Sequence, residues 1–186
     1  ILGAKLQKTN VFFKKYIKEI SDNFEIGLLP SKKSIKNVKI LEFETLNISN
    51  LVHIEINRTL LQEGLKKISQ DYKSCVSLDS SNDFSMGYAD ALGYRASTHS
   101  SFFFYDLSNE TKTNLLITPF VAHHKFIEKT SLSELKAKIK KFRKISKKHR
   151  GHFSIILNNE VFENSVKNSK RRFHFISVIK NLEERV

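Results

Sequence analysis

The stretch from Asp83 to Leu107, DFSMGYADALGYRASTHSSFFFYDL, constrains the fold most, because almost nothing in it can be helix. Gly87 and Gly93 punctuate it, and Ser and Thr residues cluster around Arg95. From Ser101 to Leu107 the run Phe102-Phe103-Phe104-Tyr105 has the aromatic bias of a buried strand. An arginine beside a Ser/Thr loop, just ahead of a core strand, is where an α/β domain places binding chemistry. Parallel strands deliver such residues to one edge of the sheet. Arg95, Tyr94 and Tyr88 are therefore candidate binding residues. Arg95 can equally pin its own loop by hydrogen bonds to carbonyls.

The flanking segments alternate between helix and strand patterns, which indicates an α/β fold. Val11 to Phe24 places Phe12, Tyr16, Ile20 and Phe24 at four-residue intervals, an amphipathic helix that Asn10 can cap. Glu25 to Leu29 reads as a short buried strand stopped by Pro30. A helix is expected over Ser34–Ile48 with Ile35, Val38, Leu41 and Leu46 on one face, then a strand over Leu51–Asn57 and a helix over Leu60–Lys73. His53 falls within that strand and reads as a half-buried, hydrogen-bonded residue. Asn114 to Phe120 is a further strand. Ser131 to Arg150 carries the strongest helical signal, with Ser131 or Ser133 as cap and Leu135, Ile139, Phe142 and Ile145 as the apolar stripe. Phe153 to Leu157 reads as a buried strand, and Phe173 to Glu184 as a closing helix with Phe173, Ile176, Val178 and Ile179 apolar.

Length sets a single-domain expectation for the 186 residues. The chain opens on Ile1 in mid-pattern, as a piece of a longer polypeptide would. No run approaches 18 apolar residues, so no helical span is expected. A lone Cys75 excludes an internal disulfide and a cysteine-built metal site; it reads as a small buried hydrophobe and weighs toward the cytoplasm. The net charge of +13 favours polyanionic neighbours. It concentrates on the helix over 131–150, in Lys140, Lys141, Arg143, Lys144, Lys147, Lys148 and Arg150, and again in Lys170, Arg171 and Arg172. A solvated helix face and an anionic-partner face both account for that pattern.

Several segments, in this order, resemble a Bacteroidetes-type branch of the polysaccharide deacetylases, the NodB-homology domains. Ile26-Gly27-Leu28-Leu29-Pro30-Ser31 is similar to that branch's I-G-I-H-P-S. Ser85-Met86-Gly87-Tyr88, Gly93-Tyr94-Arg95-Ala96-Ser97-Thr98 and the run to Asp106-Leu107 resemble its S-M-G-Y … G-[FY]-R-A-[GS]-T … P-F-x-F-Y-D-L. Pro119-Phe120 matches a P-F motif, and GHFSIILNNE from Gly151 to Glu160 resembles G-x-F-x-x-x-W-H-N-E. The resemblance implies an irregular (β/α) barrel, with the first strand or strands and an early Asp-Asp motif outside this chain. It also implies a sugar N-deacetylase in which a divalent metal, held by one Asp and two His, activates water.

The chain departs from the family where that chemistry lies. Leu29 stands at the first metal-ligand histidine and offers no lone pair. A second histidine is lost near Thr59-Leu60, and His124 falls near the aspartate that follows Pro-Phe. Asn158 replaces the late histidine and cannot carry a proton near neutral pH as imidazole does. The expectation is a catalytically inactive deacetylase-like domain, without a metal cofactor, that binds a glycan or a protein partner through the former cleft with Arg95, Tyr94, Tyr88 and Asn158. The missing part of the same polypeptide is one such partner. A second reading is a basic module that binds a polyanion through the helix over 131–150. A third is a live hydrolase whose metal site is rebuilt from His99, His123 and His124, with Asp106 or Glu160 as carboxylate; adjacent histidines diverge on helix and strand alike, which argues against it.

Overall fold

The computed structural model describes residues 11–61, 65–158 and 169–183. Helices and short strands combine in a mixed α/β architecture, the class that the sequence pattern implies. The chain divides into two compact units, each discontinuous in sequence: Ile1–Ser85 with Phe102–Thr118, and Met86–Ser101 with Pro119–Val186.

The first unit is built on a four-stranded sheet in the order β1 (Arg58–Thr59), β2 (Asn82–Asp83), β4 (Thr111–Ile117), β3 (Phe102–Asp106). β1, β2 and β4 run parallel, while β3 returns antiparallel to β4 with an irregularity between Phe103 and Tyr105. Leu28 adds one parallel bridge beside Thr59. Helices α1 (Val11–Ser21), α2 (Val38–Val52) and α3 (Ile68–Val76) belong to this unit, and a 3-10 turn over Ser34–Lys36 precedes α2. Asn37 caps α2 by accepting from the backbone N–H groups of Lys39 and Ile40. Ile17, Ile26, Leu28, Leu41, Ile48, Val52 and Ile56 form its core. Each such side chain contributes roughly 1.5–3 kcal/mol when fully removed from water, an upper bound given a compact unfolded chain.

Several expected elements differ. Leu51 and Val52 finish α2, and His53 follows as an exposed left-handed cap at φ 56°, so neither the strand over 51–57 nor a half-buried His53 exists. The alternation there is the tail of a helical stripe, because Leu41, Ile48 and Val52 recur at seven and four residues and are all buried. Val38 and Leu46, placed on that stripe from sequence, are exposed instead. On α1, Ile17 is the buried centre, while Phe12 at 87% and Tyr16 at 55% exposure face outward, as does Phe24 beyond the helix. Glu25–Leu29 reduces to the single Leu28 bridge. The helix expected from Leu60 begins at Ile68, with residues 62–64 outside the described set. β3 lies at a sheet edge rather than in the middle, so Phe104 is buried while Phe103 and Tyr105 are half open to solvent.

The second unit pairs β5 (Ala122–His123) in parallel with β6 (Ile155–Ile156) and packs α4 (His124–Lys129), α5 (Leu132–Lys148) and α6 (Ser169–Glu183) with them. Val121, Ala122, Ile127, Leu135, Ile139, Phe175 and Val178 are its buried core. α5 matches expectation closely, down to Ser131 accepting from the Glu134 N–H. The exception is Ile145, which is 37% exposed while Ser146 is buried in its place. β6 is two half-buried residues rather than the buried strand expected over 153–157. α6 starts four residues earlier than expected, which brings Lys170, Arg171 and Arg172 into its first turn; Phe175 is buried there and Phe173 is exposed.

Candidate functional site

In the first unit the carboxyl ends of the parallel elements converge on one edge. Leu28 accepts from the Leu60 N–H and donates to the Arg58 carbonyl, so Leu29 emerges beside Leu60. Phe84 donates to the Thr59 carbonyl and Thr118 to that of Asp83, so Ser85 and Pro119 leave the sheet at the same edge. This is the side on which parallel sheets carry their sites. Leu29 and Leu60 there are half-buried apolar side chains with nothing to offer a metal or a proton.

Beneath that edge lies a buried polar cluster that the sequence reading passed over. The Asp83 carboxylate accepts from Thr59 Oγ1 at 2.9 Å, from Ser85 Oγ at 2.7 Å and from the Ser85 N–H at 2.8 Å. Burial pushes its pKa up to about 6, against the pull of the Ser85, Thr59 and Tyr72 hydrogen bonds. The Cys75 thiol lies 3.7 Å from Thr59 Oγ1, and burial, with the Asp83 charge added, drives its pKa far upward. Cys75 is thus the inert buried residue expected. Asp83 has no exposed surface, so it organises the edge and cannot reach a substrate. The Asp-x-Ser spacing was a usable signal, since a side-chain acceptor two residues ahead of an N–H makes this local bond. Asp106, a candidate carboxylate, is likewise occupied, by Lys73 at 3.2 Å, the Ser108 N–H and Asn109.

The second unit gathers the pieces of the central motif. Phe120 donates to the Met86 carbonyl and Gly93 to that of Val121. A Cβ on Gly87 would sit 2.4 Å from the Phe120 ring, so only glycine allows Pro119-Phe120 to pack there. Tyr94 Oη lies 2.7 Å from Ser146 Oγ and donates to the His152 carbonyl at 2.8 Å, and its ring meets Phe142 and His99 edge-on. Tyr94 therefore ties its loop to α5 rather than facing a ligand, and it explains why Ser146 displaces Ile145 from the buried face. Tyr88 is 42% exposed and Arg95 is half-buried. Asn158 is half-buried just past the carboxyl end of β6, and His124 just past that of β5, its parallel partner.

The three histidines do not assemble. His123 Nδ1 accepts from the Lys125 N–H and caps α4. Burial, reinforced by His124 and Lys125, lowers its pKa to about 4. Its ring lies 4.1 Å from that of His124, whereas the His99 ring packs on Tyr94 and, at 5.9 Å, stacks with His149. Among the described residues no three His, Cys, Asp or Glu side chains converge as a metal site requires. The described donors thus do not make up a hydrolytic metal site; Glu160, the other candidate carboxylate, lies outside the described residues.

Along α5 the side chains of Lys136, Lys138, Lys140, Lys141, Lys144, Lys147 and Lys148 are exposed, as is Arg150 beyond it, while Arg143 is half-buried. Lys170 on α6 is exposed, and Arg171 and Arg172 are half-buried. A shallow cavity of about 360 Å³ opens beside α5, walled by Leu92, Phe126 and Phe142 and rimmed by Asp90, Lys138 and Lys141. No helix among the described residues is long and apolar enough to cross a membrane.

Comparison with family models, with curated proteins and with solved structures finds no match in any of the three. The functional reading therefore rests on the residues themselves.

Proposed function

We propose that the chain is a polysaccharide-deacetylase-like domain that has lost its hydrolytic apparatus and binds a glycan or a protein partner through the former active-site cleft. In this reading the parallel strands are part of an irregular (β/α) barrel. One observation carries it. Leu29 and Asn158 occupy the histidine positions of the resembled motifs; Leu29 follows directly on a parallel bridge position in the first unit, and Asn158 lies two residues past the parallel ladder of the second. In this reading an alkyl group and an amide stand where the resembled motifs carry their metal ligand and their acid. Arg95, Tyr88 and Asn158 are the residues assigned to recognition.

The test combines zinc and cobalt titration by calorimetry with acetate release from N-acetylglucosamine oligomers and binding to a glycan array. The expected result is no stoichiometric metal uptake at micromolar concentration and no acetate release. Any glycan bound should weaken at least tenfold in Arg95→Ala, about the loss of one charge-assisted contact. One tightly held metal per chain, lost in His123→Ala or His124→Ala together with acetate release, would overturn the proposal in favour of a rebuilt enzyme.

A further inference from the structure

The positive charge of this protein is not spread over it. The second unit contains eighteen Lys and Arg against seven Asp and Glu, a net of eleven, while the first contains fourteen against twelve. Nearly all of the +13 therefore belongs to one unit. Within it, α5 carries eight basic residues and one acidic one, Glu134. That acid is already matched, since Lys138 Nζ lies 2.5 Å from it. Glu128 of α4 is matched by Arg171, whose Nε lies 2.9 Å away.

The helical period sorts the cations of α5. Lys136, Lys140, Arg143, Lys144 and Lys147 recur at three and four residues and so share one ridge of α5, without an acidic residue on it. The ridge runs roughly 16 Å along the helix axis at 1.5 Å per residue. Leu135 and Ile139 fix α5 in the core, and beside them Lys136, Lys140, Lys144 and Lys147 are exposed while Arg143 is half-buried. The density exceeds what solubility requires, and like charges at this spacing repel by a few tenths of a kcal/mol per pair. A multivalent counter-charge relieves that repulsion.

We infer that this ridge is a docking surface for duplex nucleic acid, bound through its phosphate backbone and without base readout. Three features select this partner. An anionic membrane is disfavoured because a helix lying on lipid inserts its apolar face, and that of α5 is buried in the protein. A single strand is disfavoured because α5 presents no exposed aromatic ring on which bases stack; Phe142, its one aromatic residue, packs inward. The ridge is mostly lysine, a point charge that neutralises phosphate without the bidentate fork that reads guanine. The inference does not depend on the glycan reading above, since it uses a different surface.

Fluorescence anisotropy of the full chain with a labelled duplex of mixed sequence, across a salt series, tests it. Log affinity should fall against log salt with a slope of roughly −4 to −5, the release expected for about five phosphate contacts. The triple variant Lys136→Gln, Lys140→Gln, Lys144→Gln should bind at least tenfold more weakly at low salt and flatten the slope by roughly 3; Lys140→Gln alone should flatten it by about 1. Neutralising Lys14, Lys15 and Lys18 on α1, in the near-neutral unit, should leave both within twofold. Circular dichroism confirms that each variant is folded. A salt-independent signal, an unchanged slope in the single variant, or tighter binding to a matched single strand, a sulfated polysaccharide or anionic vesicles would each overturn the inference.

Discussion

Buried among hydroxyls, the Asp83 carboxyl holds its proton to about pH 6, well above the 3.8 of an exposed aspartate in an unfolded chain. The folded protein therefore binds more protons than the unfolded one between those values. This contribution to stability is complete below about pH 4 and is lost as pH rises through 6. Its size is on the order of 3 kcal/mol. His123, lowered to about 4 from the ordinary 6.5, acts in the opposite sense. Its neutral cap is fully effective above about pH 6.5 and is lost as pH falls toward 4. The two opposing slopes overlap, so Asp83→Asn should gain stability relative to the parent as pH rises from 4.5 to 7. His123→Asn, which keeps a capping acceptor, should gain as pH falls over the same range. Urea unfolding at the two pH values reads both drifts, and a difference that stays constant with pH would remove the titration as their cause. Close approach supplies another prediction at this scale. A Cβ on Gly151 would land 1.8 Å from His99 Nδ1, so Gly151→Ala should cost about 1–3 kcal/mol, and adding His99→Ala should recover most of it. Residues of this kind were only partly legible in the sequence. The glycines showed where the chain turns, but the partners that make Gly87 and Gly151 necessary are remote in sequence.

Elements were legible in proportion to how far local pattern and tertiary packing agree. α5 combines a serine cap, an acidic first turn and a full apolar period, so its bounds could be read from the sequence almost to the residue. The departure at Ile145 and Ser146 comes from Tyr94, a contact fifty-two residues away in the chain that no local pattern encodes. The prediction is direct: Leu135→Ala should cost about 2–5 kcal/mol and Ile145→Ala well under 1, by thermal or urea unfolding. Ser131→Ala should cost about 1 kcal/mol through the lost cap. The stretch over 51–57 failed for a different reason. A five-residue alternation is ambiguous between a strand and the end of an amphipathic helix, and the buried spacing of Ile48 and Val52 decides for the helix. The aromatic residues of α1 misled in a similar way. Their four-residue spacing is genuine, yet the face they form is not the one the first unit buries.

For the molecule as a whole, the α/β class and the basic character were plain from the sequence, and the partition of charge was not. It depends on which segments cluster together, and each unit draws on two separate segments of the chain. The candidate site shows the same limit. Leu29 and Asn158 could be singled out by the motifs around them, while the Asp83 cluster depends on Thr59, which reaches the carboxylate only once β1 and β2 pair.

That interleaving also bears on how the protein is made. The path crosses from one unit to the other after Ser85, returns after Ser101 and crosses again after Thr118. No single cut releases either unit as an intact fragment. During synthesis the first unit cannot complete its sheet until β4 has left the ribosome. By then residues 86–101 have emerged without Val121 and Phe142, the later residues against which Gly93 and Tyr94 settle. A nascent chain paused near residue 118 therefore exposes Leu92 and Tyr94, and is the intermediate on which a chaperone has most reason to act.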